Sequence, residues 1–330
     1  MRVIGGADLP ELPPSVEATV VTVGTFDGVH CGHRDVLARL IGRASDSGRA
    51  SVLVTFEPHP LEVLNPDAAP PLLTTRAEKL DLLEPTGLDY VAVVPFTPEF
   101  ARRSATEFVD DVLIGRFRMA ELLVGHDHAF GRGREGDIAL LRSLGASRGF
   151  AVDVVPPVST ATGEAVSSTL VRRAILDRDL DRARALLGRA YSARGRVVAG
   201  AARGRLLGYP TLNIEPDSGR KLLPPDGVYA VRVGGSRGEF DGMMNLGGRP
   251  TFGDDRRTLE AHLFDADGDF YGDRVDVAFV ARLRDTVRFP DPEALVAQLH
   301  RDAEAARRAL TAFAETDNHN GSTHVPPSTP

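Results

Sequence analysis

The chain is predicted to contain two different halves, an α/β half with a parallel sheet and an antiparallel β-barrel closed by a terminal helix. In the first half, apolar runs alternate with amphipathic stretches, an order typical of parallel sheets with helices on both faces. From Tyr191 onwards, short apolar runs alternate with turns, which indicates a small barrel. The 330 residues are enough for two such domains.

The predicted strands of the first half are short apolar runs. They lie at 18–23, 51–56, 90–94, 121–124 and 151–155. Helical periodicity occurs between them, at 35–44, 76–83, 106–114 and 138–144. Ligands of parallel sheets bind where the strands end at a common edge. Polar or glycine-rich loops follow the first, second and fourth strands, at Gly24–Asp27, Phe56–Pro60 and Gly125–Gly131. We therefore expect a site at this edge.

The second half is predicted to form a barrel from five β-like runs. They lie at 193–198, 227–233, 240–246, 259–264 and 274–279. A helix from Pro292 to about Phe313, with Leu299 and Ala303 on its apolar face, is expected to close the barrel. The tail 316–330 lacks core-forming residues and is expected to be disordered. The expected domains are therefore 1–186 and 187–315, followed by that tail.

Bulk composition restricts the class of protein. The net charge of -7, from 39 basic and 46 acidic residues, argues against a nucleic-acid binder. A single cysteine excludes an internal disulfide framework and suits a reducing compartment. No apolar run has the length of a signal peptide or a membrane span, so we expect a cytoplasmic protein without a membrane partner. Lys79 and Lys221 are the only lysines, so a phosphate site is expected to rely on arginine, histidine, backbone N–H groups or metal.

The glycine-rich turn Gly24–His33 is the most informative segment. His30 and His33 stand three residues apart, on one face of the first turn of the following helix. Gly28 and Gly32 permit close backbone approach, and a helix start attracts anions. These features predict charge stabilisation on a nucleotide phosphate. The alternatives are histidines on a solvated turn, or a zinc pair that still needs further ligands.

A second phosphate-binding element is expected at Val166–Arg172, where serines open another helix. The hydroxyl groups and Arg172 would grip ATP. The alternative is an ordinary helix cap.

A metal and phosphate site is predicted within 200–214 of the second half. Its loop contains glycines that permit a tight turn around phosphates, namely Gly200, Gly204 and Gly208. Thr211 and Asn213 alternate onto one side of the following strand, where their oxygens suit Mg²⁺. The alternative is a simple turn that enters an edge strand at Pro210.

Glu260 lies between the apolar residues Leu259 and Ala261 of a predicted strand. Beside a metal and phosphate site, its carboxylate would accept the proton of an attacking hydroxyl group. The alternative is a solvated surface glutamate, since spacing alone does not show whether Glu260 faces Thr211.

Over about residues 15–313 the chain resembles the prokaryotic bifunctional riboflavin kinase/FAD synthetase family. Motifs of the adenylyltransferase half are Gly24–His33, Phe56–Pro60, Gly125–Asp137 and Val166–Arg172. Motifs of the kinase half are Gly204–Ile214, Gly227–Ala230, Asn245–Phe252, Leu259–Asp265 and Phe270–Gly272. The resemblance implies a Rossmann-like nucleotidyltransferase domain followed by a riboflavin kinase barrel.

Two successive reactions are implied by the resemblance. The 5′-hydroxyl group of riboflavin attacks the γ-phosphorus of ATP to give FMN. The phosphate of FMN then attacks the α-phosphorus of a second ATP, which gives FAD and pyrophosphate. The implied partners are riboflavin, FMN and ATP, with Mg²⁺ as cofactor; self-association is left open.

Residue roles are implied as well. Glu260 is the implied base, Thr211 and Asn213 hold Mg²⁺, and His30 and His33 stabilise charge on the transferring phosphate. Implied ATP or phosphate contacts are Gly24, Phe26, Asp27, Gly28, Ser167, Ser168, Thr169, Arg172, Gly204 and Gly208. Implied substrate-loop contacts are His59, Asp127, Phe130 and Asn245.

One departure from the family pattern is His128, which stands where phenylalanine is usual. It leaves open a paralogue with kinase activity alone. A non-catalytic flavin-binding protein is the other alternative. The joint presence of the histidine pair, Thr211, Asn213 and Glu260 argues against it.

Overall fold

The computed structural model describes residues 1–126, 130, 131, 133, 135–200, 208–249 and 254–320. The chain divides into two compact units, Met1–Leu170 and Val171–Pro330. This boundary lies earlier than the predicted domain boundary after residue 186. Helix α7 (Leu180–Leu187) contacts two strands of the second unit, which explains why it is grouped with that unit.

The first unit is built on a six-stranded, fully parallel sheet. Its strands are β1 (Arg2–Gly5), β2 (Thr19–Val23), β3 (Ala50–Glu57), β4 (Tyr90–Pro95), β5 (Met119–Gly125) and β6 (Ala151–Val155). Their order across the sheet is β1-β4-β3-β2-β5-β6. The α/β prediction is confirmed. Strand β1 was not predicted, because a short and largely exposed edge strand has little apolar pattern.

Helices cover both faces of this sheet over two apolar cores. They are α1 (Cys31–Asp46), α2 (Pro60–Leu64), α3 (Arg76–Leu83), α4 (Ala105–Glu107), which continues into a π-helical segment (Phe108–Ile114), and α5 (Ile138–Arg148). Helix α3 begins with a capping box in which Thr75 and Glu78 each accept the other's backbone N–H. Helix α6 (Ser168–Leu176) lies at the unit boundary.

The second unit is a closed antiparallel barrel, as predicted. Its strands are β7 (Tyr191–Val198), β8 (Leu212–Pro216), β9 (Gly227–Gly235), β10 (Gly238–Arg249), β11 (Asp254–Leu263) and β12 (Arg274–Arg284). They close in the order β10-β11-β8-β7-β12-β9.

Helix α8 (Pro292–Asn320) packs its apolar face on the barrel, with Leu299, Ala303 and Leu310 near Met243. The helix extends to Asn320, beyond its predicted end near Phe313. No glycine or proline interrupts the helix before residue 321, and the Thr316 hydroxyl donates to the Ala312 carbonyl one turn earlier. Residues 321–330 lie outside the described part. Within that part, no helix has both the length and the apolarity that a bilayer crossing requires.

Candidate active sites in the two units

The glycine-rich turn of the first unit follows β2 directly. The Gly24 N–H donates to the Val54 carbonyl at 3.0 Å, and the Thr55 hydroxyl donates to the Thr25 carbonyl at 3.1 Å. The turn is therefore bound to the carboxyl end of β3, and the predicted convergence of these two loops is confirmed. From the third loop, Phe130 packs edge-on against Phe108 at 5.0 Å between centroids. Asp127 and His128 lie outside the described residues.

The two histidines of the turn lie against each other. His30 is the N-cap of α1, and its Nδ1 accepts the His33 N–H at 3.3 Å. This cap explains why α1 begins at Cys31, earlier than predicted. The imidazole rings stack with centroids 3.6 Å apart and planes at 17°, and Phe26 stacks on His33 at 4.5 Å. His30 is only 5% exposed, so the solvated-turn alternative does not hold for it.

The His33 ring has an unpaired nitrogen. Among the described residues, nothing forms a hydrogen bond with its buried Nδ1. Burial lowers the pKa of His33 well below its ordinary value of 6.5, and the nearby charges of His30 and Lys79 lower that pKa further. The ring is therefore neutral at neutral pH, with one nitrogen that donates and one that accepts.

This pKa predicts how acid affects the stability of the first unit. Above about pH 6.5, His33 is neutral in the folded and the unfolded chain. As the pH falls below that value, the unfolded chain takes up a proton that the folded chain refuses, so the free energy of unfolding falls by at most about 1.4 kcal/mol per pH unit. The loss stops at the folded pKa. Thermal midpoints between pH 7.5 and 5.5 should therefore fall more in the wild type than in His33→Gln, and equal losses would contradict the assignment.

Asp27 and Gly28 hold the shape of the turn. The Asp27 carboxylate is 3% exposed and accepts the N–H groups of Leu73 at 3.0 Å and Thr74 at 2.9 Å. The Gly28 N–H donates to the Thr74 hydroxyl at 2.9 Å. These bonds support a backbone with positive φ at Phe26 (49°) and Gly28 (84°), the first of which is unusual for a bulky residue. In this structure the Asp27 carboxylate and the Gly28 N–H form hydrogen bonds that hold the turn in place.

The start of α6 lies against the same turn. The Ser167 hydroxyl accepts the Leu170 N–H at 3.2 Å, as the side chain of a helix-capping residue does. The Ser168 hydroxyl donates to the Asp27 carbonyl at 2.8 Å. A Cβ at Gly32 would lie 3.4 Å from the Val166 carbonyl oxygen, which shows how closely the two segments approach. Thr169 is exposed, and Arg172 lies one helical turn after Ser168.

A cleft opens between the ends of β2 and β3. It is lined by residues from both loops and from α3, among them Thr25, Phe56, Glu57, His59 and Lys79. His59 also caps α2, since its Nδ1 accepts the Leu61 N–H at 3.2 Å. Burial raises the pKa of Glu57, and the positive charge of Lys79 opposes that rise. The sequence-based reasoning missed Lys79; its only signal was that it is a lysine in a chain whose basic residues are almost all arginines.

A row of polar residues crosses three strands of the second unit. Asn213 on β8 pairs directly with Glu260 on β11, which pairs directly with Asn245 on β10. Residues that pair directly across antiparallel strands share a face of the sheet. The adjacent row of Ile214, Leu259 and Leu246 is buried, so the polar row lies on the opposite, outer face. Glu260 therefore lies beside Asn213 on this face, whereas Thr211 precedes β8 and has no partner in the strand register of the described residues.

Gly200, which follows β7, approaches Asn213 closely. A Cβ at Gly200 would collide with the Asn213 side-chain amide, so a larger residue there would require that side chain to move. Gly208 adopts a left-handed conformation, with φ of 78°. Gly204 lies outside the described residues.

Two histidines flank the entrance of β8. The Pro210 carbonyl lies 2.8 Å from His262 Nδ1. Because a carbonyl only accepts, that nitrogen carries the proton. The Tyr209 hydroxyl lies 2.9 Å from Nδ1 of His300 on α8. These contacts hold the segment that leads directly into Thr211.

Comparison with known proteins agrees with this division. A family model described as FAD synthetase matches residues 12–170, and one described as riboflavin kinase matches residues 187–310. A solved structure described as a macrolide-efflux protein from Streptococcus pneumoniae has a TM-score of 0.79 and 32% identity, and covers 92% of this chain and 95% of that chain.

Curated relatives match both halves at once. The bifunctional riboflavin kinase/FMN adenylyltransferase of Escherichia coli (strain K12) is 40% identical over 93% of this chain and 97% of its own length. The protein of the same name from Pseudomonas fluorescens is also 40% identical over 93% of this chain and 97% of its own length. The one from Haemophilus influenzae is 35% identical over 88% of this chain and 94% of its own length. This chain therefore belongs to the bifunctional riboflavin kinase/FMN adenylyltransferase family.

Proposed function

We propose that this enzyme uses ATP twice, once in each unit, to convert riboflavin into FMN and then FMN into FAD. The observation that carries the proposal is that each matched domain holds its own polar cluster: the stacked His30 and His33 in the first, and the row of Asn213, Glu260 and Asn245 in the second.

Phosphorylation of riboflavin is assigned to the second unit. The 5′-hydroxyl oxygen of riboflavin forms a bond to the γ-phosphorus of ATP. The bond from that phosphorus to the bridging oxygen breaks, and ADP leaves. Glu260 accepts the hydroxyl proton as general base. Asn245, exposed beside Glu260 on β10, offers an amide that orients the acceptor. Gly200 allows the backbone to pass close to Asn213, where backbone N–H groups bind the nucleotide phosphates.

The oxygen groups of Thr211 and Asn213 fit Mg²⁺, which favours oxygen ligands and is usually held by few protein groups together with substrate phosphates. When bound, the ion neutralises charge on the phosphate chain. Thr211, directly before β8, and Asn213, within β8, would hold it.

Adenylyl transfer is assigned to the first unit. A phosphate oxygen of FMN forms a bond to the α-phosphorus of ATP, and the bond to the β-phosphate oxygen breaks to release pyrophosphate. The FMN phosphate is already ionised and needs no base. His30 and His33 donate hydrogen bonds to the oxygens of the transferring group, where negative charge develops. The start of α6 and Arg172 bind the nucleotide phosphates.

Labelled ATP tests both assignments in one experiment. With riboflavin and Mg²⁺, label in the γ-phosphate of ATP should appear in FMN and FAD, whereas label in the α-phosphate should appear in FAD alone. A γ-labelled FMN that never becomes FAD would indicate a kinase without adenylyltransferase activity. Absence of label from every flavin would refute the proposal.

We further assign the enzyme to the cytoplasm, with small molecules rather than nucleic acid as its partners. The net charge of -7 and the single cysteine support this assignment.

A further inference from the structure

Lys79 is a buried cation within the cleft of the first unit. Its side chain leaves α3 and is 8% exposed. The ammonium nitrogen donates to the Thr25 carbonyl at 3.0 Å and to the Thr55 hydroxyl at 3.2 Å. Both acceptors lie at the carboxyl ends of strands, where substrates bind in parallel sheets.

The fold does not need this charge to join the two strand ends. The Thr55 hydroxyl itself donates to the Thr25 carbonyl at 3.1 Å, so β3 and the turn are tied without the lysine. Burial of an ammonium group is costly, and it lowers the pKa of Lys79, whereas the charges of Glu57 and Asp27 raise that pKa. The buried ammonium group costs free energy, and its hydrogen bonds connect strand ends that the Thr55–Thr25 hydrogen bond already connects. This points to a role for Lys79 other than a structural one.

The surroundings leave a donor of Lys79 for a ligand. An ammonium group has three N–H donors, and Thr25 and Thr55 accept two of them among the described residues. Asp27, a buried carboxylate that lines the cleft, already accepts hydrogen bonds from the backbone of Leu73 and Thr74. Arg76, the other cation that lines the cleft, has an exposed side chain. Lys79 is therefore the buried positive charge of this cleft.

We infer that Lys79 binds a substrate phosphate oxygen during adenylyl transfer and supplies a buried, fixed positive charge to that site. The inference rests on the proposed function of the first unit and adds a catalytic residue to it. The positive charge of Lys79 also favours the neutral form of His33. A neutral imidazole ring still has one N–H that can donate a hydrogen bond to the phosphate. Phosphate charge that develops during transfer is stabilised by a cation already in place, with no reorganisation.

Two substitutions separate charge from shape. Lys79→Met keeps the length of the side chain without donors, and Lys79→Gln keeps donors without charge. Both should lower kcat/KM for FAD formation from FMN by about 10²-fold or more, a loss typical of one preorganised electrostatic donor. FMN formation from riboflavin in the same samples should stay unchanged, and unfolding midpoints show whether each variant folds. A folded variant with kcat/KM for FAD formation within about threefold of wild type would overturn the inference.

Chemical rescue distinguishes a role of the Lys79 charge from a role in packing. In Lys79→Ala, added propylammonium should restore part of the FAD formation, whereas 1-propanol, of the same shape but neutral, should not. Equal rescue by both compounds, or by neither in a folded variant, would assign the side chain to packing and contradict the inference. If the wild type itself forms no FAD, the proposed function fails rather than the role of Lys79.

Discussion

Substitution of Glu260 by glutamine is expected to slow FMN formation severely while FAD formation from supplied FMN continues. Glutamine has nearly the same shape as glutamate but cannot take a proton from the riboflavin hydroxyl group. Loss of a general base costs about 10²- to 10⁴-fold in rate. The expected result is a kcat for riboflavin phosphorylation reduced by that factor with a nearly unchanged KM for ATP, measured by chromatography of the flavins.

A matched control for this variant is Glu239→Gln. Glu239 is an exposed glutamate on the same strand as Asn245, six residues away along β10 and paired with Gly234 at the hairpin. It should keep wild-type rates of both reactions. Undiminished phosphorylation in Glu260→Gln would refute the role of Glu260, and equal losses in the two variants would point to a general effect of charge.

Replacement of His30 by asparagine is expected to have the opposite selectivity. The His30 side chain both caps α1 and stacks on His33, so His30→Ala would remove two contributions at once. Asparagine is a favoured N-cap and keeps an acceptor for the His33 N–H, but it lacks the imidazole ring. FAD formation from FMN should fall by about 10²- to 10³-fold, since a donor to the developing charge is lost.

The stability of His30→Asn separates catalysis from folding. Its unfolding midpoint should stay close to that of the wild type, whereas His30→Ala should be less stable by about 0.5–2 kcal/mol through loss of the cap. FMN formation should be normal in both variants. Full adenylyl transfer by His30→Asn would contradict a direct role of the ring, and loss of both activities would indicate misfolding.

The architecture of both units could be predicted from alternation of apolar runs, because strands and helices bury faces with different periods. The end of α8 could not, because residues 314–320 contain no large apolar side chain and so lack the periodicity that indicates a packed helix face. Strand β1 was missed for a related reason: only four residues long, it forms by pairing with β4, and that long-range contact leaves no local pattern.

Those features of the sites that depend on residue type and spacing within one short segment could be predicted. The spacing of His30 and His33 placed them on one helical turn, as observed. Alternation predicted Thr211 and Asn213 on one side of a strand, but β8 begins only at Leu212. The register that sets Glu260 opposite Asn213 depends on pairing between distant segments. Lys79 reaches its cleft from a separate helix, and no spacing connects it with the turn. Residue type and local spacing therefore indicated the chemistry of each site, whereas contacts between distant segments could not be predicted from them.

The central claim is that each unit carries an independent site, which a mixture of two inactive variants tests most directly. Glu260→Gln supplied with riboflavin should make almost no FMN, and His30→Asn should make FMN but almost no FAD. When the two proteins are combined with riboflavin and Mg-ATP, we expect FAD, because FMN released by one protein reaches the intact adenylyltransferase site of the other. A mixture that accumulates FMN without FAD, although Glu260→Gln alone converts added FMN, would contradict exchange between independent sites.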